Sequence, residues 1–428
     1  MRKSALGLLV VGGVAASLVV SACSSNSNSS SPSSSVNSSS GSVTSAAAGS
    51  SGAATSAAAG SSGAASSGAG SSSGAASSGA GSSSGAGSSG AASSSSGGAL
   101  NGKGVKVGII MPDTQSSQRW VTSDPAALSA QCKIDNLSCD IQNANNDAQK
   151  MKTIAEGMEN DGVKVLMIVN LDSASGAAIE KEATGKGITT VDYDRQTLGG
   201  SAALYVSFDG VKVGQAQGNA LTQCPEVKGK SAVNYVQVDG APTDNNATLF
   251  KQGYVSVLSK APGWKLLDDQ AIAKWDNQTA GTTFQSILQS HKDLNAVMVA
   301  NDGMANAVIG VLKGQGLSGK VAVSGQDATA QGLQHILAGD QCFTIYKPSK
   351  KEAIPAIDAI TQIVTGQIPK TNATSKDTKT GKEVPSILAT PEAITKANVA
   401  TPINDNYTPK SQVCTGSYAA MCTAAGIK

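Results

Sequence analysis

From about Val105 onward, short apolar runs alternate with longer amphipathic stretches. Val105–Met111 is a continuous apolar run with β-branched residues, followed by a helix-like stretch to about Gln131. Cys139–Gln142, Gln149–Asn160 and the buried-strand run Val163–Val169 come next, then a helical Gly176–Lys186 and an extended Ile188–Asp192. After Ala203–Phe208 the pattern restarts: helix Val211–Thr222, strand Ser231–Gln237, helix Asn246–Ser259 and strand Lys265–Gln270. Helix Thr279–Ser290, strand Ala296–Ala300, helix Asn306–Lys313 and strand Lys320–Ser324 complete it. Strands apolar on both faces, separated by helices, predict parallel sheets covered on both sides. Two such units in succession predict an α/β protein of two doubly wound lobes.

The first hundred residues have no such pattern. Met1-Arg2-Lys3 is basic, Ala5 to Val20 is apolar, and Val20-Ser21-Ala22-Cys23 follows. The apolar stretch is shorter than the roughly 20 residues needed to span a bilayer, so residues 1–22 read as an export signal. Its last four residues resemble a lipobox, which implies cleavage before Cys23 and lipidation of its sulfur. From Ser24 to about Gly98 the chain is almost only Ser, Gly and Ala. Such a segment buries too little to offset ordering entropy. Residues 23–101 are therefore expected to be a tether, spanning about 50 Å as a coil. The expected location is the outer side of the cell membrane.

A net charge of +2 favours neither a nucleic-acid surface nor a polyanionic partner. Beyond Cys23, Cys132, Cys139, Cys224, Cys342, Cys414 and Cys422 form an even set suited to disulfides in an exported protein. Cys132–Cys139 is the easiest pair to close, and the other pairings stay open. No zinc spacing occurs, and His291 and His335 read as surface residues in helices. No metal or cofactor is expected. Gly314 to Lys320 matches G-x4-G-K but lies between a helix and a strand, the reverse of a phosphate-binding loop.

In doubly wound sheets ligands lie beyond the carboxyl ends of the strands. There this chain carries Asp113 and Arg119-Trp120, then Asp194-Arg195, Asp244-Asn245-Asn246, Asn301-Asp302, Gln326-Asp327 and Lys347. Each Asp or Asn alone could be a helix cap, but Arg and Trp are not capping residues. Arg, Asp and Asn offer paired donors and acceptors that match vicinal hydroxyls. Trp120 and Trp275 can stack on the apolar face of a pyranose. Mixed Arg, Lys and Asp can stay buried because they pair with one another.

From Val105 to about Val399 the chain resembles the D-xylose-binding protein family, among the pentose- and hexose-binding type I periplasmic proteins. The resemblance rests on Gln118-Arg119-Trp120, Tyr193-Asp194-Arg195, Tyr205-Val206-Ser207-Phe208-Asp209 and Asp244-Asn245-Asn246-Ala247. It continues in Asn301-Asp302, Leu317-Ser318-Gly319-Lys320-Val321, Ser324-Gly325-Gln326-Asp327-Ala328 and Tyr346-Lys347-Pro348. It implies a monomer whose lobes, joined by three hinge strands, close on one monosaccharide, D-xylose first and glucose or arabinose next. The closed form would be handed to an ABC permease or, alternatively, presented to a receptor. It implies sugar contacts from Arg119, Asp194, Arg195, Asp244, Asn246, Asn301, Asp327 and Lys347, with Trp120 and Trp275 packing on the ring.

Lobe boundaries follow from the same likeness: 102–208 plus 328–346, and 209–327 plus 347–403, with crossings near Phe208-Asp209, Gln326-Asp327 and Tyr346-Lys347. Residues 404–428 form a Cys-containing tail that the resemblance does not explain. A second tryptophan common in the family is replaced by Ala271. A glycoside hydrolase would need two carboxylates flanking a glycosidic bond, whereas here each Asp has a cationic or amide companion. A transcriptional regulator would carry an N-terminal helix-turn-helix, where this chain has an export signal. No enzymatic activity is expected.

Overall fold

The computed structural model describes residues 100–428. The expected signal segment, the lipidation at Cys23 and the Ser/Gly/Ala tether up to residue 99 lie outside the described residues. Strands β1 (Lys106–Met111), β2 (Ser138–Asn143), β3 (Val165–Ile168), β4 (Thr189–Tyr193) and β5 (Leu204–Phe208) pair in parallel. Helices α1 (Ser123–Ile134), α2 (Ala148–Asn160) and α3 (Ser173–Gly185) connect them. β3 and β5 are buried at every position, as central strands covered on both faces must be. Asp147 and Asp172 cap α2 and α3 by accepting from backbone N–H groups of the first turn.

The second lobe repeats the scheme with α4 (Gly210–Thr222), β6 (Val233–Asp239), α5 (Asn245–Leu258), β7 (Trp264–Ala271) and α6 (Asn277–Ser290). It continues through β8 (Ala296–Val299), α7 (Asp302–Gly314) and β9 (Ala322–Val323). These strands form a four-stranded parallel sheet, ordered β7-β6-β8-β9. α4 and α5 touch backbone to backbone. A Cβ on Gly214 would lie 2.0 Å from Phe250 O, and one on Gly253 2.3 Å from Val211 O. Only glycine fits there.

The lobe boundaries depart from expectation after β9. Helix α8 (Ala330–Ala338) and strand β10 (Phe343–Tyr346) were expected in the first lobe, but they belong to the second. Phe343 and Ile345 are buried in one core with Val236, Val297 and Phe284, and Cys342 is bonded to Cys224. Residues from Lys350 were expected in the second lobe. Instead α9 (Lys350–Val364) buries Ala353, Ile357 and Ile360 with Val107 and Val191 of the first. The antiparallel hairpin β11 (Ala373–Lys376) and β12 (Glu383–Ala389) then extends the first sheet, with β12 parallel to β5. Its order is β11-β12-β5-β4-β3-β1-β2. Strand β13 (Glu392–Thr395) returns to pair with β10.

The crossings therefore fall after Phe208, after Tyr346 and after Ala389, not at Gln326-Asp327. An apolar run says that a strand is buried, not which sheet it joins, and here strand pairing decided. The tail carries α10 (Thr401–Asn404), α11 (Lys410–Val413) and α12 (Tyr418–Ala424). It packs Val413, Cys422 and Ile427 against Leu333 and Ile336 of α8. Disulfides join Cys132–Cys139, Cys224–Cys342 and Cys414–Cys422.

Candidate functional site

The carboxyl ends of the two sheets meet at a narrow crevice. It is lined by Ser116, Ser117, Trp120, Asp194, Arg195, Asp244, Asn246, Phe250, Trp275, Asn301, Gln326, Asp327 and Lys347. Of the residues expected to touch the sugar, all line it except Arg119, whereas the strand-end residues Asp113, Asn245 and Asp302 do not.

Two of the acidic and amide residues are also the helix caps they could have been. Asp244 Oδ1 accepts from Asn246 N–H at the start of α5. Its Oδ2 faces Arg195 Nε at 3.0 Å and accepts from Trp275 Nε1 at 3.0 Å. Asn301 Oδ1 accepts from Met304 N–H at the start of α7, while its Nδ2 donates to Ser116 O at 2.9 Å. Capping and crevice chemistry use different atoms of one side chain.

Polar groups bridge the lobes directly. Asn246 Nδ2 donates to Asp194 O at 2.9 Å and to Asp194 Oδ1 at 3.1 Å. Ser117 Oγ donates to Asp327 Oδ2 at 2.9 Å. Lys347, just past the second crossing, is 3.4 Å from both Asp194 Oδ2 and Asp327 Oδ1. These bridges close the crevice to about 20 Å³, room for roughly one water-sized sphere. Beside it lies a wider cavity of about 450 Å³ that shares Ser116, Ser117 and Asp327 and whose wall also includes Asn277, Asn306, Tyr407 and Pro409.

Arg119, expected as a sugar contact, does not line the crevice itself but stands behind Asp194 and lines the wider cavity beside it. Its side chain is 1% exposed and is committed to three carboxylates: Asp124 at 2.6 Å, Glu352 at 2.6 Å and Asp194 at 2.7 Å. Tyr193 OH donates to Asp124, and Ser349 Oγ donates to the same carboxylate. This frame fixes Asp194, whose backbone is left-handed at φ 60°. Its carbonyl accepts from Tyr205 OH and Ser207 Oγ.

The charge balance is close because three buried cations, Arg119, Arg195 and Lys347, meet five buried carboxyls. Burial pushes Asp194 up, but Lys347, Arg119 and Arg195 outweigh it and hold its pKa at about 2. Burial pushes Asp244 and Glu352 upward despite their cationic neighbours.

The aromatic walls differ in origin. Trp120 lies under two guanidinium groups, Arg119 at 4.7 Å and Arg195 at 5.6 Å from its ring centroid. Trp275 stands edge-on to Phe250, centroids 6.5 Å apart, and fills the space where Gly240 would carry a Cβ, 2.1 Å from its ring. Ala271 is exposed at the end of β7 and does not line the crevice. Ser116, Ser117 and Phe250 were not foreseen. Ser116 and Ser117 carry no charge, and Phe250 sits on a helix whose apolar positions read as core. His335 is not a surface residue either: it is buried in α8 with Nδ1 3.2 Å from Asp340. Among the described residues, the Cys224, Glu226 and Cys342 group has metal-like spacing, but its sulfurs form a disulfide and offer no thiolate.

No helix among the described residues is long and apolar enough to cross a membrane. The periplasmic binding protein domain model matches residues 107–368. The chain is 33% identical over 322 residues to the D-xylose-binding periplasmic protein of Escherichia coli, covering 74% of this chain and 94% of that one. It is 30% identical over 310 residues to a multiple sugar-binding periplasmic receptor of Rhizobium radiobacter, covering 68% and 87%. An ABC transporter solute-binding protein of Clostridium phytofermentans with bound β-D-glucose superposes with a TM-score of 0.66 at 26% identity, covering 72% of this chain and 99% of that one. Such proteins bind solutes and catalyse no reaction. Two parallel-sheet lobes, three crossings and a polar crevice between them agree with these matches, and the chain belongs to the type I periplasmic sugar-binding protein family.

Proposed function

We propose that this protein binds a single aldose, D-xylose first among them, in the crevice and delivers it to an ABC importer from a lipid anchor at Cys23. The observation that carries the reading is convergence. Residues from the strand ends of two separate sheets, as distant in the chain as Ser116 and Lys347, line one interlobe crevice. The direct bridges at Asp194–Asn246, Arg195–Asp244 and Ser117–Asp327 are paired donors and acceptors of the kind vicinal hydroxyls replace. Ring C–H groups would lie on Trp275 and Trp120.

The mechanism follows from shared contacts. A sugar held by Asp194 and Arg195 of one lobe and by Asp244, Asn246 and Asn301 of the other binds the closed form better than the open one. It therefore shifts the hinge equilibrium by its differential affinity. Entry requires the lobes to part at the crossings after Phe208, Tyr346 and Ala389. Arg119 acts at one remove, by fixing the Asp194 carboxylate. Chemistry at the bound sugar is not part of the reading.

A calorimetric and thermal-shift screen against aldopentoses and aldohexoses tests it. A sugar at 100 times Kd adds about 2.7 kcal/mol of stability. Xylose giving the largest shift is the expected result. Comparable shifts from several aldoses would favour broad specificity, as in the relatives named for multiple sugars. No shift with any monosaccharide would end the reading.

A further inference from the structure

The crevice residue Asp327 and its buried neighbour Ala328 have backbone conformations that residues with a Cβ disfavour. Asp327 has φ 92° and Ala328 φ 47°. Such conformations persist where the surroundings over-determine them. The N–H groups of this loop are met from within the second lobe. Asp327 N–H donates to Ile345 O at 2.8 Å, Ala328 N–H to Thr344 Oγ1 at 3.1 Å, and Thr329 N–H to Asp302 Oδ2 at 2.8 Å.

The carbonyls are met from the tail. Tyr407 OH donates to Asp327 O at 3.0 Å, and Thr408 Oγ1 donates to Ala328 O at 2.7 Å. The tail is itself pinned. The Tyr407 ring packs edge-on to Tyr346 with centroids 4.9 Å apart, and Tyr346 OH donates to Asp405. Gln334 Nε2 of α8 donates to the carbonyls of Gln412 and Val413, and the Cys414–Cys422 disulfide closes the turn that follows.

We propose that the C-terminal segment is a clamp that positions Asp327 for sugar recognition. Its two consecutive hydroxyls hold the Asp327-Ala328 turn left-handed. That turn aims the Asp327 carboxylate between Ser117 Oγ and Lys347 Nζ, at the seam of the lobes. Tyr407 and Thr408 reach backbone carbonyls and do not line the crevice, which makes them positioning residues in this proposal. Without them the turn relaxes toward ordinary φ and carries the carboxylate away from the seam. The proposal rests on the reading of Asp327 as a sugar contact.

A double-mutant cycle on the full chain tests it, with affinity for the best-binding aldose measured by calorimetry. Tyr407→Phe combined with Thr408→Val is expected to weaken binding about 10-fold, and Asp327→Ala at least as much. The tail changes should have no further effect in the Asp327→Ala background, because the group they aim is gone. Adding Ala328→Gly to the tail variant should recover part of the affinity, since glycine adopts positive φ without a Cβ clash. A purely structural tail would lower the melting temperature, leave affinity unchanged and gain nothing from the glycine. If Asp327→Ala binds normally, the site reading fails and the clamp with it. If Asp327→Ala weakens binding while the tail variant does not, or the two effects add, the clamp alone is overturned. Tyr407→Phe alone, which keeps the ring packing, gives the same comparison should the double variant fail to fold.

Discussion

The two walls of the crevice are built differently. The first lobe presents an ionic frame: Arg119 holds three carboxylates, and Asp194 and Arg195 stand on it. The second presents capping amides and aromatic rings, Asn246, Asn301, Phe250 and Trp275, each anchored by one or two bonds or by ring packing. A buried charge network tolerates little displacement, because any unpaired ion is costly. Amides and rings adapt at smaller cost. The ionic wall therefore tolerates less displacement than the amide and aromatic one.

The sharpest break of that contrast is Arg119→Leu. Removing one partner of a buried network typically costs about 3–5 kcal/mol, and here three carboxyls lose their cation. We expect that loss in denaturant unfolding, together with lost sugar binding. A variant that unfolds like the unmodified protein would mean that the frame is not what organises this wall.

Acid titration separates the lobes next. Asp194 has a folded pKa of about 2, below the roughly 3.9 of an unfolded aspartate, so its contribution is present above pH 4 and lost as pH falls toward 2. Asp302 of the second lobe is opposite. Burial raises its pKa to about 7, so the folded state binds the proton more tightly and its contribution declines as pH rises from about 4 to 7. Each unit is worth at most about 1.4 kcal/mol. Asp302→Asn should flatten the decline between pH 4 and 7 and leave the acid limb unchanged. An unaltered slope in unfolding measurements across that window would refute the assignment.

A smaller effect is expected at the interlobe bridge itself. Arg195→Ala should abolish the sugar-induced stabilisation of about 2.7 kcal/mol at 100 times Kd while the protein stays folded. The remaining Asp244 keeps Trp275 Nε1 and the Asn246 N–H of the α5 cap as partners. Retained affinity in calorimetry would remove Arg195 from the site. On the second wall, Gly240→Ala should displace the Trp275 ring at about 1–3 kcal/mol of overpacking cost. Binding should weaken less than in Arg195→Ala. The reverse order would make the aromatic wall, not the ionic one, the dominant grip.

Much of this was readable from the chain. Continuous apolar runs such as Val163–Val169 predicted buried parallel strands, and the strand-end rule picked out Asp194, Asp244, Asn301 and Lys347 as residues that would converge. Arg119 was visible as a charge at a strand end, yet its depth was not. Glu352, 233 residues later, joins it only because α9 returns to the first lobe. Phe250 was hidden because a helical apolar position reads the same whether it faces a core or a crevice.

The sequence by itself determined the local alternation of strand and helix, the caps and the chemical repertoire of the crevice, because each depends on neighbours within a few residues. Tertiary structure alone decided which sheet β10 and β12 join, where the chain crosses between lobes, which arginine faces the crevice, and that a C-terminal tyrosine grips the Asp327 turn. Those outcomes depend on pairing and packing between segments far apart along the chain, and a strand apolar on both faces carries no mark of its partner.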